Sequence, residues 1–195
     1  MRPEFQAKFL MHLNGNKKGD EGFTLIELLV VIIIIGILAA IALPSLLGQA
    51  NKAKQSEARQ NVGSVNRAQQ AFALGRTEFT SNLAELGIGI KSQTDNYIYV
   101  LKASTNRDGA ANYGAAYKPA LKSYVGLNVT AQGDTDTGEV LTLTGTCETI
   151  KPAKVTGPTD AALAVPTKLG PDGAKCEEAP KSGAFNGGWK DLSGG

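Results

Sequence analysis

The first strong pattern along the chain is an aliphatic run at residues 23–43, whose only ionisable residue is Glu27. A helix of this length spans roughly 31 Å at about 1.5 Å per residue, which matches the hydrocarbon core of a bilayer. The many isoleucine and valine residues would suit a strand, but backbone groups in lipid must be satisfied within the segment. The run therefore predicts a transmembrane helix.

The helical pattern continues after the run with an amphipathic character. Apolar residues recur at three- and four-residue spacing, and charged residues occupy the other positions. The apolar positions are Leu47, Ala50, Ala58, Val62, Val65, Ala68 and Phe72. Gly75 is a natural stop for this pattern. The sequence thus predicts one helix over residues 24–74, roughly 75 Å long.

Gly36 and Pro44 are two weak points in the predicted helix. Proline removes a backbone donor, and glycine lowers helix propensity. Membrane helices tolerate both residues, so a helix that passes through them unchanged is the alternative.

The rest of the chain predicts a small β-sheet. A short capped turn at residues 81–87 precedes runs of β-forming residues at 97–101, 113–117, 123–130 and 140–144. Three or four antiparallel strands would bury the amphipathic face of the helix. The predicted fold class is α+β, with a long N-terminal helix packed on a small antiparallel sheet.

The tail from residue 150 is rich in proline and glycine and shows little periodicity. Phe185 and Trp189 are predicted to fold back onto the sheet, with an exposed adhesive patch as the alternative. The 23 glycines of the chain are above the usual share, which favours turns and loops.

Cys147 and Cys176 fit no CxxC redox or zinc spacing. Beyond a membrane-crossing segment, in an oxidising compartment, they predict one structural disulfide. Closing that loop would contribute about 3–4 kcal/mol in the chain-entropy model. Two unrelated free thiols are the alternative.

Composition offers little material for catalysis. His12 is the only histidine, and it lies in the N-terminal segment that would be removed as a leader, so no Ser–His–Asp set can be built securely around it and an enzyme is not expected. No cofactor or metal site is predicted, although residues 133–139 hold three carboxylates that could ligate calcium. That segment lacks the EF-hand spacing and is interpreted as a polar hairpin turn.

Charge gives no support for nucleic-acid binding. The formal net charge is +2, and the part from Arg76 onward has 12 Lys and Arg against 13 Asp and Glu. No basic stripe can be inferred from that balance, so DNA binding is unsupported by charge.

Glu27 is the informative residue of the membrane segment. A carboxylate at the bilayer centre costs about 2.5–3.5 kcal/mol on insertion scales and therefore tends to have a partner. The alternative is that Glu27 lies in the first helical turn near the interface, where the helix dipole favours an acid. An ordinary signal peptide ending at residues 40–42 and an uncleaved anchor are further alternatives for the segment as a whole.

Residues 17–31, KKGDEGFTLIELLVV, closely resemble the class III signal of type IV prepilins. The resemblance implies that a membrane-embedded prepilin peptidase cuts after Gly22 and that Phe23 becomes the N-methylated first residue. Glu27 then falls on the glutamate at the fifth mature position, which neutralises the amino terminus of a neighbouring subunit. Residues 1–22 would be the leader, beginning at Met1 or Met11.

The resemblance implies a pilin fold, with a helix over residues 23–75, a head over 76–195 and a C-terminal loop bounded by Cys147 and Cys176. It also implies unwinding between Gly36 and Pro44 in the filament. The implied partners are further copies in a helical homopolymer, the peptidase, and an inner-membrane assembly platform with cytoplasmic ATPases. The subunit would lie in the inner membrane before assembly and in an extracellular pilus afterwards.

Several functions fit this resemblance. A surface filament would serve motility, adhesion or DNA uptake. A major pseudopilin of type II secretion is the nearest alternative, and a membrane-anchored binding or sensor domain is another. The glycine-rich head and residues 122–126 resemble cyanobacterial major pilins.

Overall fold

The computed structural model of the chain describes most of its residues. The described residues are 8, 11, 22–104, 108–132, 140–157, 163, 175–176, 185 and 188–192. The chain forms two compact units, Met1–Leu47 and Gly48–Gly195. The predicted acidic turn at residues 133–139 lies outside the described residues, as does His12.

The predicted long helix is confirmed as α1 (Leu25–Arg76), which has 52 residues and contains Pro44 without a break. The helix ends at Arg76, one residue beyond the predicted end near residues 74–75, and glycine is not the residue that ends it. Thr77 takes the left-handed conformation instead, with φ of 58°, and its N–H donates to the Ala73 carbonyl at 2.7 Å. The Thr77 hydroxyl donates to the Arg76 carbonyl at 2.6 Å and thus satisfies a carbonyl that the helix end leaves unpaired.

The second unit contains an antiparallel sheet of five strands in the order β1-β2-β3-β4-β5. The strands are β1 (Tyr97–Ala103), β2 (Gly109–Ala116), β3 (Tyr124–Gln132), β4 (Val140–Thr149) and β5 (Trp189–Asp191). Each of the four predicted runs overlaps one of the first four strands. The prediction of three or four strands was wrong by one, because β5 has only three residues and shows no alternation. It pairs with the end of β4.

The helix face that packs on the sheet follows the prediction only in part. Ala58, Val62 and Val65 are buried as predicted, whereas Leu47 and Ala50 are exposed. The other buried helix residues are Asn66, Gln69 and Ala73. The buried stripe therefore includes two amides, which an apolar pattern does not reveal.

A short 3₁₀ helix, Leu83–Leu86, confirms the predicted capped turn. The Asn82 side chain accepts a hydrogen bond from the Ala84 N–H at 3.1 Å, and Gly87 ends the turn with φ of 64°. Left-handed φ is the conformation that glycine adopts without steric cost.

Phe185 and Trp189 pack against the sheet as predicted. Phe185 and Trp189 are buried in the largest core cluster, together with Tyr113. The Phe185 and Trp189 rings lie 4.7 Å apart, and the Tyr113 ring is stacked with that of Phe185 at 6.2 Å. The alternative of an exposed aromatic patch is therefore wrong for these two side chains.

A disulfide joins Cys147 on β4 to Cys176 in the tail, which confirms the predicted pairing. Both residues are buried. We expect Cys147→Ser combined with Cys176→Ser to lower the free energy of unfolding by about 3–4 kcal/mol. Thermal unfolding of the purified chain would measure this loss. Reductant should lower the midpoint of the wild-type chain and leave the double variant unchanged; equal midpoints for the two oxidised proteins would contradict the prediction.

Buried tyrosines make the head sensitive to high pH. Burial, assisted by the nearby Glu148 carboxylate, raises the pKa of Tyr124 from 10.0 to about 12. A raised pKa means that the folded state holds the proton more tightly, so stability is complete below pH 10 and is lost as the pH rises towards 12. Tyr97 and Tyr113 have pKa values raised by burial and act in the same direction. We expect Tyr124→Phe to reduce the fall in unfolding midpoint between pH 10 and 12, whereas Tyr117→Phe, at an exposed position, should leave it unchanged.

Candidate functional site

Hydrogen bonds between Thr24 and Glu27 form the start of α1. The Thr24 backbone N–H and hydroxyl both donate to Glu27 Oε2 at 2.8 Å. The Glu27 N–H donates to Thr24 Oγ1 at 3.2 Å. Each side chain thus satisfies a backbone N–H that a helix start leaves unpaired, which is a capping box.

The capping box gives Glu27 a partner within its own chain. This matches the alternative in which Glu27 lies in the first turn of the helix, and its predicted role in assembly stays a prediction. Thr24 is a residue that the sequence reasoning missed. The signal was present, because Thr-x-x-Glu directly before an apolar run is the pattern of a capping box.

The predicted cleavage site lies just before this cap. Gly22 and Phe23 are exposed and lie outside the helix. Exposed backbone outside regular structure is where proteolysis concentrates. The bond between these two residues is therefore accessible, and its cleavage and the N-methylation of Phe23 stay predictions.

The first half of α1 presents a continuous apolar surface. All residues from 25 to 50 are exposed. The helix is long and apolar enough to cross a membrane, and none of its apolar window is buried within the chain. Apolar surface of this extent marks an interaction with lipid or with another protein.

Gly36 and Pro44 both lie on this exposed stretch. A Cβ atom added to Gly36 would meet nothing within 4 Å, so no contact within the chain requires glycine there. Pro44 has no N–H to donate to the Ala40 carbonyl, so the helix has one backbone hydrogen bond fewer at that turn. Unwinding between the two residues stays a prediction.

In the second unit, Asn66 is the centre of a buried hydrogen-bond network. Its Oδ1 accepts from the amides of Asn112 and Asn128 at 3.0 and 3.1 Å. Its Nδ2 donates to the Gly145 carbonyl at 3.3 Å and to Thr146 Oγ1 at 3.2 Å. One helix side chain thus contacts β2, β3 and β4, which fixes the position of the helix on the sheet.

Gln69 and Gln70 extend this network along the helix. The Gln69 amide donates to the Thr80 carbonyl at 2.6 Å and accepts from the Thr80 N–H at 3.1 Å. The Gln70 amide donates to the Thr142 carbonyl at 3.2 Å. Since Asn66 contacts Thr146 and Gln70 contacts Thr142, β4 runs antiparallel to α1.

Two strand glycines allow the helix to approach the sheet closely. A Cβ atom on Gly126 of β3 would lie 1.9 Å from Asn66 Oδ1, and one on Gly114 of β2 would lie 2.8 Å from a Val62 methyl group. The expectation that glycine marks turns and loops is therefore wrong at these positions, because here glycine makes room for helix side chains.

Within the residues that the structure describes, no group of three or more His, Cys, Asp or Glu side chains lies together. Both cysteines are in the disulfide. The described geometry is thus that of a cap, an apolar surface and a packed head.

Residues 55–176, more than half of the chain, match the family described as Type IV pilin-like G and H. The chain belongs to this family. The resemblance to type IV pilins is therefore confirmed. In addition, residues 17–43 match the prokaryotic N-terminal methylation motif, and this stretch contains Gly22, Phe23 and Glu27.

Curated relatives include both pilins and a secretion protein. The pilin-like chain is 43% identical over 68 residues to the type IV major pilin protein PilA of Myxococcus xanthus, which covers 35% of this chain and 31% of the relative. It is 38% identical over 91 residues to the type IV wide pilus major component PilA4 of Thermus thermophilus, covering 46% and 70%. It is also 36% identical over 63 residues to the type II secretion system core protein G of Aeromonas hydrophila, covering 32% and 44%.

The chain spans less than half the length of the first and third of these relatives and 70% of the second. No solved structure matches the chain significantly. The finer resemblance to cyanobacterial major pilins stays a prediction.

Proposed function

We propose that the chain is a structural subunit of a type IV pilus, in which copies polymerise through the apolar half of α1. One observation carries the proposal: a helix with a continuous apolar surface begins at Leu25, three residues after the methylation-motif Gly22, and carries Glu27 in its capped first turn. The similarity to the pilus components PilA and PilA4 supports it.

Cleavage after Gly22 would leave a cationic amine on Phe23. In the single chain, the Glu27 carboxylate accepts from Thr24. In the filament, the amine of a neighbouring copy would supply a charged partner. Removing one member of a buried ion pair costs about 3–5 kcal/mol, so such a pair favours the assembled state over an unpaired subunit.

The proposal also gives the partners of the subunit and its cellular locations before and after assembly. A prepilin peptidase would process the precursor while residues 23–43 span the inner membrane. An inner-membrane assembly platform driven by cytoplasmic ATPases would then extract the subunit into the extracellular filament. The chain has one helix that could supply this anchor among its described residues.

A major pseudopilin of a type II secretion system is the second candidate. It is favoured by the similarity to core protein G of Aeromonas hydrophila, which extends over 63 residues. Both candidates share cleavage and self-assembly, so they differ in where the filament lies and in what the cell loses without it.

Mass spectrometry of the mature chain and electron microscopy of sheared fibres test the proposal together. A methylated Phe23 at the amino terminus and surface fibres that contain this chain are the expected results. An amino terminus upstream of Gly22 would exclude both the pilus subunit and the pseudopilin as the function of this chain. A methylated chain without surface fibres, in cells that lose protein secretion when it is deleted, would favour the pseudopilin.

Motility, adhesion and DNA uptake remain three uses of such a filament. Twitching, surface attachment and transformation frequency, compared between deletion and complemented cells, would separate them.

A further inference from the structure

The head has an open groove beside α1, with a volume of about 630 Å³. One wall is the helix face between Ser56 and Arg67, and the other includes Thr146 of β4 and Leu192. All of these residues belong to the second unit. The groove is distinct from the apolar half of the helix through which the subunits are proposed to polymerise.

The groove is cationic. Arg59 and Arg67 are both exposed and both line it. They are eight residues apart, which places them about 12 Å apart along the helix axis. Arg67 Nη2 donates to Ser64 Oγ at 3.2 Å. Among the described residues of the head, a salt bridge joins Lys122 to Glu148. Neither Arg59 nor Arg67 forms a salt bridge with a described carboxylate. Arginine forks of this kind bind carboxylates through paired hydrogen bonds.

The same chain carries a complementary acidic segment. Residues 133–139 contain Asp134, Asp136 and Glu139 and no lysine or arginine. The segment joins Gln132 of β3 to Val140 of β4, which are register partners at the end of that strand pair.

The groove and the start of β4 lie at different levels along α1. Asn66 contacts Thr146, and Gln70 contacts Thr142, so β4 begins level with helix residues beyond Gln70. The groove extends from there in the opposite direction, towards Ser56. Val140 is therefore displaced from the middle of the groove by roughly 15 Å along the helix axis, by the rise per residue.

We propose that the Arg59–Arg67 groove of one copy binds the acidic segment 133–139 of the next copy. A contact between two different surfaces of the same chain is heterologous, and it generates an open polymer when the rotation does not close. The axial displacement of Val140 from the groove suits copies that are staggered along a fibre. The inference rests on the proposed filament function and names a contact between heads, in addition to the contacts between apolar helices.

Charge reversal in the full chain tests the pairing. We expect Arg59→Glu with Arg67→Glu, or Asp134→Lys with Asp136→Lys and Glu139→Lys, each to lower the yield of sheared filaments about tenfold or more, because like charges would then face each other. Combining both sets should restore the yield, since opposite charges again meet. Lys118→Glu with Lys151→Glu, at exposed positions away from the groove, is the matched control and should assemble normally.

The thermal midpoint of the detergent-solubilised, unassembled chain separates folding from assembly. It should be the same for the groove variant and the wild type, because the pairing is between copies. A lowered midpoint that the combined variant restores would show that the groove pairs with its own chain and would overturn the proposal. Unchanged filament yield in both single sets would overturn it as well, and so would groove variants that lose only binding to added DNA.

Failure of the wild-type chain to form filaments would count against the proposed function itself. If the wild-type chain forms filaments and every charge-reversed variant forms them at the same yield, the result would count against the head contact alone.

Discussion

Glu27→Gln is expected to be cleaved and methylated normally but to yield about a hundredfold fewer surface filaments. The physical reason is that a neighbouring Phe23 amine would lose its counter-charge in an apolar surrounding, at a cost of about 3–5 kcal/mol for each broken pair. Processing should be unaffected, because the peptidase acts at the Gly22–Phe23 bond and glutamine keeps the length of the side chain. Immunoblots of whole cells and of sheared fibres measure the two steps separately.

Thr24→Val is the matched control for that experiment. It removes the hydroxyl that donates to Glu27 at 2.8 Å and accepts from its N–H, but leaves the carboxylate in place. Loss of a helix cap costs about 1 kcal/mol, so this variant should assemble to a much greater extent than Glu27→Gln. Equal losses in both variants would show that Glu27 acts through the cap, and filaments at the wild-type level in Glu27→Gln would remove its role in assembly.

Gly126→Ala is expected to lower the free energy of unfolding of the head by about 3 kcal/mol or more. The added Cβ atom would lie 1.9 Å from Asn66 Oδ1, so the Asn66 side chain must leave its site. The amides of Asn112 and Asn128 then lose their shared acceptor while they remain buried. Thermal or chemical unfolding of the purified chain would measure this effect.

Gly157→Ala is the matched substitution, since an added Cβ there would meet nothing within 4 Å and the residue has no positive φ. It should change stability by less than about 0.5 kcal/mol, as is usual for surface positions. Asn66→Ala combined with Gly126→Ala should cost less than the sum of the two single changes, because the clash disappears. Strict additivity, or a neutral Gly126→Ala, would contradict the close approach of helix and sheet.

The extended elements of the fold were predictable because their signals are local. The length of α1 follows from an apolar run joined to an amphipathic pattern, and β1 follows from five consecutive β-forming residues at 97–101. The disulfide was predictable for a different reason, since two cysteines in an oxidising compartment allow one intramolecular pairing.

The parts that were missed depend on partners that are distant in sequence. Asn66 resembles an exposed polar position until Asn128, 62 residues away, is known to donate to it. Gly126 resembles a turn residue until the helix that it faces is in place. β5 is defined by pairing with Thr149 and its neighbours and not by its own three residues.

In the candidate assembly site, too, some residues were predictable from the sequence and others were not. The methylation motif predicted Gly22, Phe23 and Glu27 by resemblance, and the chain matches that motif over residues 17–43. The role of Thr24 was readable from its spacing to Glu27 and was overlooked. The groove could not be predicted, because Arg59 and Arg67 resemble any other charges on the solvent face of a helix until Thr146 and Leu192 form the second wall.

The bond between Cys147 and Cys176 also determines how the head would respond to tension. The two residues are 29 positions apart, which corresponds to about 95 Å of fully extended chain at roughly 3.3 Å per residue. If residues beyond Cys176 were held by a surface while the helix was pulled, the force would pass directly between the two sulfur atoms. The intervening residues would then carry no tension, so this part of the head would add no slack to a fibre under strain.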